Sequence, residues 1–175
     1  MPSATIARPA ESEYSTEVAD YIRLVPEGDI QAILEAQSDD LARLVGKLSD
    51  EQSLVQHPPY TWSIKQVVGH MTDCERVFGY RALRLARNDA TPLPGFDENS
   101  YMQFANFDAC PFAKLVAEFE LLRRSHRLMF QHLEPDAWLR SGVVNNHRTT
   151  VCAIAFVMAG HAKLHLDILQ KRLGG

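Results

Sequence analysis

Four stretches of the sequence place apolar residues three and four positions apart over several turns, and such a chain must bury four helical stripes against one another. Gly28 and Asp29 open the first, which carries Ile30, Ile33, Leu34, Leu41, Leu44, Val45 and Leu48, with Ser38 to Asp40 as its weak point. A loop through His57, Pro58, Pro59 and Tyr60 follows, because two prolines oppose helix. Ser63, with Gln66 three residues on, forms a capping box for the second helix, whose stripe is Ile64, Val67, Met71, Cys74, Phe78, Ala82 and Leu85 and which should run to about Asn88. Asp108 as cap and Pro111 in the first turn suit the start of a third, with Phe112, Leu115, Val116, Phe119, Leu122, Met129, Phe130 and Leu133 inward. Pro135 to Leu139 reads as a short helical turn, and SGVVNNHRT has some β-propensity but is too short to form a sheet alone. Thr149 or Thr150 caps the fourth helix, with Val151, Ile154, Ala155, Met158, Ile168 and Leu169 inward and the terminal glycines as its stop. The expected fold is all-α, a four-helix bundle. The turn-rich TPLPGFDENS lies in a connection between helices two and three long enough to cross the bundle. Residues 1–20 are expected to pack outside the single domain 21–175 as an extension.

Composition narrows the partners. Eighteen Lys and Arg against 22 Asp and Glu leave a formal charge of −4, so there is no general attraction to nucleic acid. The start, MPSATIARPA, lacks the apolar core of a signal peptide, and no unbroken apolar run suggests a membrane helix, the longest being Val151 to Gly160. Cys74, Cys110 and Cys152 are odd in number and lack paired spacing, which argues for a reducing cytoplasm. A homodimer is left open.

Three histidines stand where a bundle should hold only hydrocarbon. His161 and His165 are four residues apart on the fourth helix, on the arc of Ile154, Met158 and Leu169, so both rings point inward and can converge on one cation. His70 borders the apolar stripe of the second helix, on the side shared by Asp73, Val77 and Arg81. Facing these two helices makes a three-histidine metal site with open positions, the layout of a catalytic metal. Zinc or nickel suits the donors best, with iron, manganese and copper as alternatives. Against this stands a chance HxxxH of hydrogen-bonded core histidines.

Asp73 either orients His70 and serves in catalysis or pairs with Arg76 or Arg81. Cys74 reads as a small core residue more than as a ligand, and Trp62 as a core anchor at the bundle's end. His126 lies in the third stripe and either lines the pocket or bonds a carbonyl. His57, His132 and His147 are expected in solvent. Asp97, Glu98 and Asn99 belong to a loop that leaves the second helix far from His70. Folded back along the bundle, with Phe96 as apolar anchor, that loop would bring these three to the pocket; otherwise they cap the next helix or face solvent. No GxSxG, P-loop or HExxH is present, so serine hydrolase, NTPase and metalloprotease readings have no support.

The segments WSIKQVVGHMTDCERVFGYRALRLARND, TPLPGFDEN and AGHAKLHLDIL, with YIRLVPEGDI upstream, resemble the DinB/YfiT-like superfamily of small bacterial four-helix bundles. The resemblance runs from about Tyr21 to the end. It implies that His70, His161 and His165 hold the metal, and that the activity is either metal-dependent hydrolysis of a small ester or amide or thiol-dependent S-transfer. Many relatives read GHExHH, whereas Ala162 follows His161 here and Leu164 precedes His165. A missing glutamate weakens base-assisted hydrolysis, so the expectation leans to an S-transferase using a small-molecule substrate and a low-molecular-weight thiol. A non-catalytic stress-response protein with a structural metal is the rival.

Overall fold

A computed structural model describing residues 6–174 has seven helices and one hairpin, α1 (Ala19–Leu24), α2 (Ile30–Val45), α3 (Asp50–Ser53), α4 (Ile64–Ala86), α5 (Glu98–Phe104), α6 (Phe112–Gln131), β1 (Ser141–Val144), β2 (His147–Thr150) and α7 (Val151–Arg172), of which the four long helices were expected and the short α1, α3 and α5 were not. The long helices α2, α4, α6 and α7 form a four-helix bundle. Helices α2 and α4 each pack on both α6 and α7, so the consecutive long helices α4 and α6 are neighbours in space, whereas α2 and α4, and α6 and α7, are not main neighbours.

Local chemistry sets most boundaries. Asp29 accepts the Gln31 N–H at the head of α2, Ser63 and Gln66 close the capping box of α4, and Thr150 accepts from Ala153 N at the head of α7. Helix α2 passes through Ser38 to Asp40 without a break. The head of α6 differs from expectation: Asp108 lies in a separate 3-10 turn, and the cap comes from Asp50, whose carboxylate accepts the Phe112 N–H at 2.8 Å and pairs with buried Lys65 at 2.7 Å. The Lys65 and Phe112 hydrogen bonds hold the Asp50 carboxyl below its ordinary range. SGVVNNHRT forms a two-stranded antiparallel hairpin around Asn145 and Asn146, which take the positive φ of a tight turn, and Leu93 bridges its edge at Val144.

By length and composition alone α7 could cross a membrane, with mean hydropathy 1.4. Its apolar faces are instead used inside the bundle, where 72% of that window is buried. The described part of the N-terminal extension wraps onto the bundle: Pro9 is buried, Ile6, Tyr14 and Val18 pack on the core, Arg8 donates to Ile22 O and Val25 O, and Thr150 donates to Glu13. Residues 1–5 lie outside the described residues.

One buried polar network crosses the interior. Arg123 on α6 makes a two-pronged ion pair with Glu75 on α4, at 2.8 and 2.9 Å, and donates to Gln37 on α2 at 3.1 Å. Gln37 donates in turn to Ala159 O on α7 at 2.7 Å. All four bundle helices are thus pinned by one polar chain, with every charge matched. His126 completes it, its Nδ1 3.1 Å from Glu75 Oε1, and Gly79 leaves room for the ring because a Cβ there would collide with it. Burial pushes the Glu75 carboxyl up, but Arg123 and His126 together outweigh it and hold the carboxyl below its ordinary value.

Candidate metal centre

Helix α4 presents His70 in its second turn, and α7 presents His161 and His165 one turn apart. His70 Nε2 lies 3.1 Å from His161 Nε2, and His165 Nε2 lies 3.2 Å from the same atom. Ligand atoms of all three fall within 4.8 Å of one another. Two atoms bonded at about 2.0–2.1 Å to one ion stand roughly 2.9–3.4 Å apart at ordinary coordination angles, so these spacings fit a shared metal. Hydrogen bonding alone satisfies them poorly. A neutral imidazole has one N–H and one lone pair, so His161 Nε2 cannot donate to both neighbours.

Burial keeps the rings uncharged. It lowers the His70 pKa to about 4, against an opposing pull from the Glu98 carboxylate, and lowers that of His165 to about 3 with help from His70. His161, enclosed and facing the other two, lies well below 6.5. Deprotonated imidazole is the form that binds metal.

Aromatic rings wall the cluster. Trp62 stands 5.0 Å from His70, and Tyr21 and Phe78 meet His161 edge-on at 5.6 and 5.5 Å. Trp62 packs against the core, as expected of an anchor, and is also a wall of the site. Tyr21 lies far upstream of the histidine motifs, in a segment without chemical signature, so nothing local marked it. Phe78 was legible only as part of the apolar stripe.

The remaining candidates separate clearly. The Asp73 carboxylate turns to Arg76 at 3.1 Å, and its pKa is raised because burial outweighs that pair. His126 is held by Glu75 in the polar network. Cys74 Sγ sits 3.7 Å from both His70 ring nitrogens, and burial pushes its thiol up to about 12. His132 and His147 are exposed, whereas His57 is half-buried at a positive φ of 53° and its Nδ1 is buried without a partner among the described residues, contrary to the solvated expectation.

The crossing connection runs back down α4. Pro94 O accepts from Arg81, the Phe96 ring packs under the Arg81 guanidinium, and Phe107 lies against Gly69. Part of the presumed loop is helix α5, capped by Asp97, which accepts from Asn99 N and Ser100 N at 3.0 and 3.3 Å. Asn99 is exposed. Glu98 is also exposed, and of the three loop residues it is the one whose charge acts on His70, Cys74 and Tyr21.

A sequence profile described as the DinB superfamily matches residues 33–169, most of the chain and all three histidines. The chain belongs to the DinB superfamily. Among solved structures, this DinB chain is similar to YfiT from Bacillus subtilis, described as "a probable metal-dependent hydrolase with an unusual four-helix bundle topology", with TM-score 0.72 and 17% identity over 99% of this chain and 96% of that one. It is also similar to a mycothiol-dependent maleylpyruvate isomerase, with TM-score 0.69 and 10% identity over 88% of this chain and 63% of that one. At these identities the likeness is one of fold. Comparison with curated proteins finds no match.

Proposed function

We propose that this DinB-superfamily chain is a metal-dependent enzyme acting on small molecules, with His70, His161 and His165 holding one divalent transition metal, and that it transfers a low-molecular-weight thiol to an electrophile. The observation that carries the reading is the convergence of three buried, uncharged imidazole nitrogens at 3.1 and 3.2 Å. A divalent ion held there supplies Lewis acidity, which lowers the pKa of a thiol or water toward neutrality.

The chain's own residues do the rest. Trp62, Tyr21 and Phe78 exclude bulk water and shape the space beside the histidines. Glu98, whose charge acts on His70 from the head of α5, accepts the proton of the attacking group. Cys74 stays protonated at neutral pH, its thiol raised to about 12, so the reacting thiol comes from a cosubstrate.

Hydrolysis of a small ester or amide is the second reading, and Glu98 favours it. The charge of that carboxylate acts on His70 from another helix, where position 162 offers only alanine.

Protein purified without a histidine tag, loaded with zinc or nickel and assayed with monochlorobimane and a panel of thiols, tests the order. Thiol-dependent turnover supports transfer. Turnover of model esters without any thiol-dependent rate reverses it.

A further inference from the structure

Among the described residues two buried arginines, Arg81 and Arg172, have no carboxylate partner, and Arg81 is the one with a single hydrogen bond. Arg81 lies on α4 three turns beyond His70 and is 8% exposed. Its one protein hydrogen bond runs from Nη2 to Pro94 O at 2.7 Å, and its guanidinium stands 5.5 Å from the Phe96 ring centre. Among the described residues no carboxylate pairs with it. Glu75 matches Arg123 and Asp50 matches Lys65, while Arg172 gives three hydrogen bonds to the carbonyls of Val55, Gln56 and Trp62 and stands over the Tyr60 ring. An arginine stays charged even when desolvated, so an unmatched one in a wall is costly unless something supplies the negative charge.

Arg81 lines two cavities. The larger, ≈ 290 Å³, is walled by Val77, Leu93, Phe96 and Tyr101; the smaller, ≈ 120 Å³, reaches Phe78, whose ring meets His161. Acids near these spaces are engaged elsewhere: Glu17 accepts from Asn145, and Arg76 at the larger rim is held by Asp73 and Glu118. The Arg81 charge is felt at the Cys74 thiol, which touches His70. Tyr101 of helix α5 lines the larger cavity and its ring packs on that of Phe96. Arg81 thus opens onto a groove that reaches Phe78, the ring that walls His161.

We propose that Arg81 is the carboxylate-recognition residue of this groove, holding the anionic end of a small organic monocarboxylate whose other end points to the histidines. The Pro94 bond uses one of the two Nη2 hydrogens, and the other forms a fork with Nε or Nη1 that fits the two oxygens of a carboxylate. One guanidinium among apolar walls balances one negative charge, which favours a carboxylate over a phosphate dianion. That this ligand is the substrate rests on the proposed function; that the groove binds a carboxylate does not.

The probe is benzoate, with neutral benzamide as its isostere, titrated calorimetrically into chelator-treated protein so that no metal competes for the carboxylate. Benzoate should bind and benzamide should not. Arg81→Met should weaken benzoate about tenfold or more and leave zinc stoichiometry and the melting temperature at or above wild-type values, since it removes a buried charge at similar volume. Equal binding of benzamide, unchanged benzoate affinity in Arg81→Met, or binding only after metal loading overturns the proposal. If Arg81→Met does not fold, Arg81→Lys serves, which keeps the charge without the fork; wild-type affinity there overturns it equally. Benzoate binding that follows Arg81 in a protein that takes up no metal would sink the histidine reading and leave this one standing.

Discussion

The main-chain oxygen of Tyr21 fills the space in which a Cβ on Gly160 would stand, so α1 crosses α7 in direct contact one residue before His161. The same crossing sets the Tyr21 ring against the His161 ring. A glycine in mid-helix, normally a weakness, is here what lets an N-terminal helix close one wall of the site.

Gly160→Ala should therefore destabilise the protein. Alanine gains about 1 kcal/mol in helix propensity, but overpacking against backbone costs about 1–3 kcal/mol and no side chain can rotate away to relieve it. Urea denaturation should show a lower midpoint at unchanged slope. A midpoint equal to or above wild type would show that α1 can lift off without loss.

Metal content should follow the three histidines. His70→Ala, His161→Ala and His165→Ala are each expected to lose stoichiometric zinc or nickel in tag-free protein, while remaining folded because the apolar stripes build the core by themselves. Wild-type stoichiometry in any two of them refutes a shared ion.

The metal-free protein should gain stability with rising pH between about 4 and 6.5. His70 titrates near 4 when folded, driven down by burial, and near 6.5 when unfolded, and His165 behaves alike with a folded value of about 3. In that window the unfolded chain binds more protons, so stability is full above 6.5 and falls as pH drops toward the folded values. Melting temperatures of chelated protein measured across this range check the sign. A flat profile would mean that the rings are not buried neutral.

Breaking the Glu75–Arg123 pair from one side should cost about 3–5 kcal/mol, because a charge is then left buried and alone. Arg123→Met combined with Glu75→Gln should recover much of that loss. A double variant as unstable as the sum of the single ones would show that the pair is not the unit.

Thiol reactivity separates the cysteines. Burial raises the Cys74 and Cys152 thiols to about 12, whereas Cys110 is partly exposed. Native protein should show one fast-reacting thiol with an aromatic disulfide reagent and three after denaturation. Fast labelling of Cys74 would open the possibility of a protein nucleophile that the proposed mechanism denies.

The four helices, most of their caps and the inward pairing of His161 with His165 were written in the sequence, because periodicity and caps act between residues three or four apart. Ser63 with Gln66 and Thr150 with Ala153 are local in this sense. What lay beyond reach depends on contacts between distant segments. His70 meets His161 across 91 positions, and Gln37 bonds Ala159 across 122. Asp50 caps α6 from 62 residues away. Tyr21 comes to His161 only because α1 crosses at Gly160, and Pro94 and Phe96 come to Arg81 only because the connection from α4 doubles back along it. A one-dimensional pattern tells which face of a helix is apolar; which helices share that face is decided by packing, and the packing here turns three separated histidines into one site.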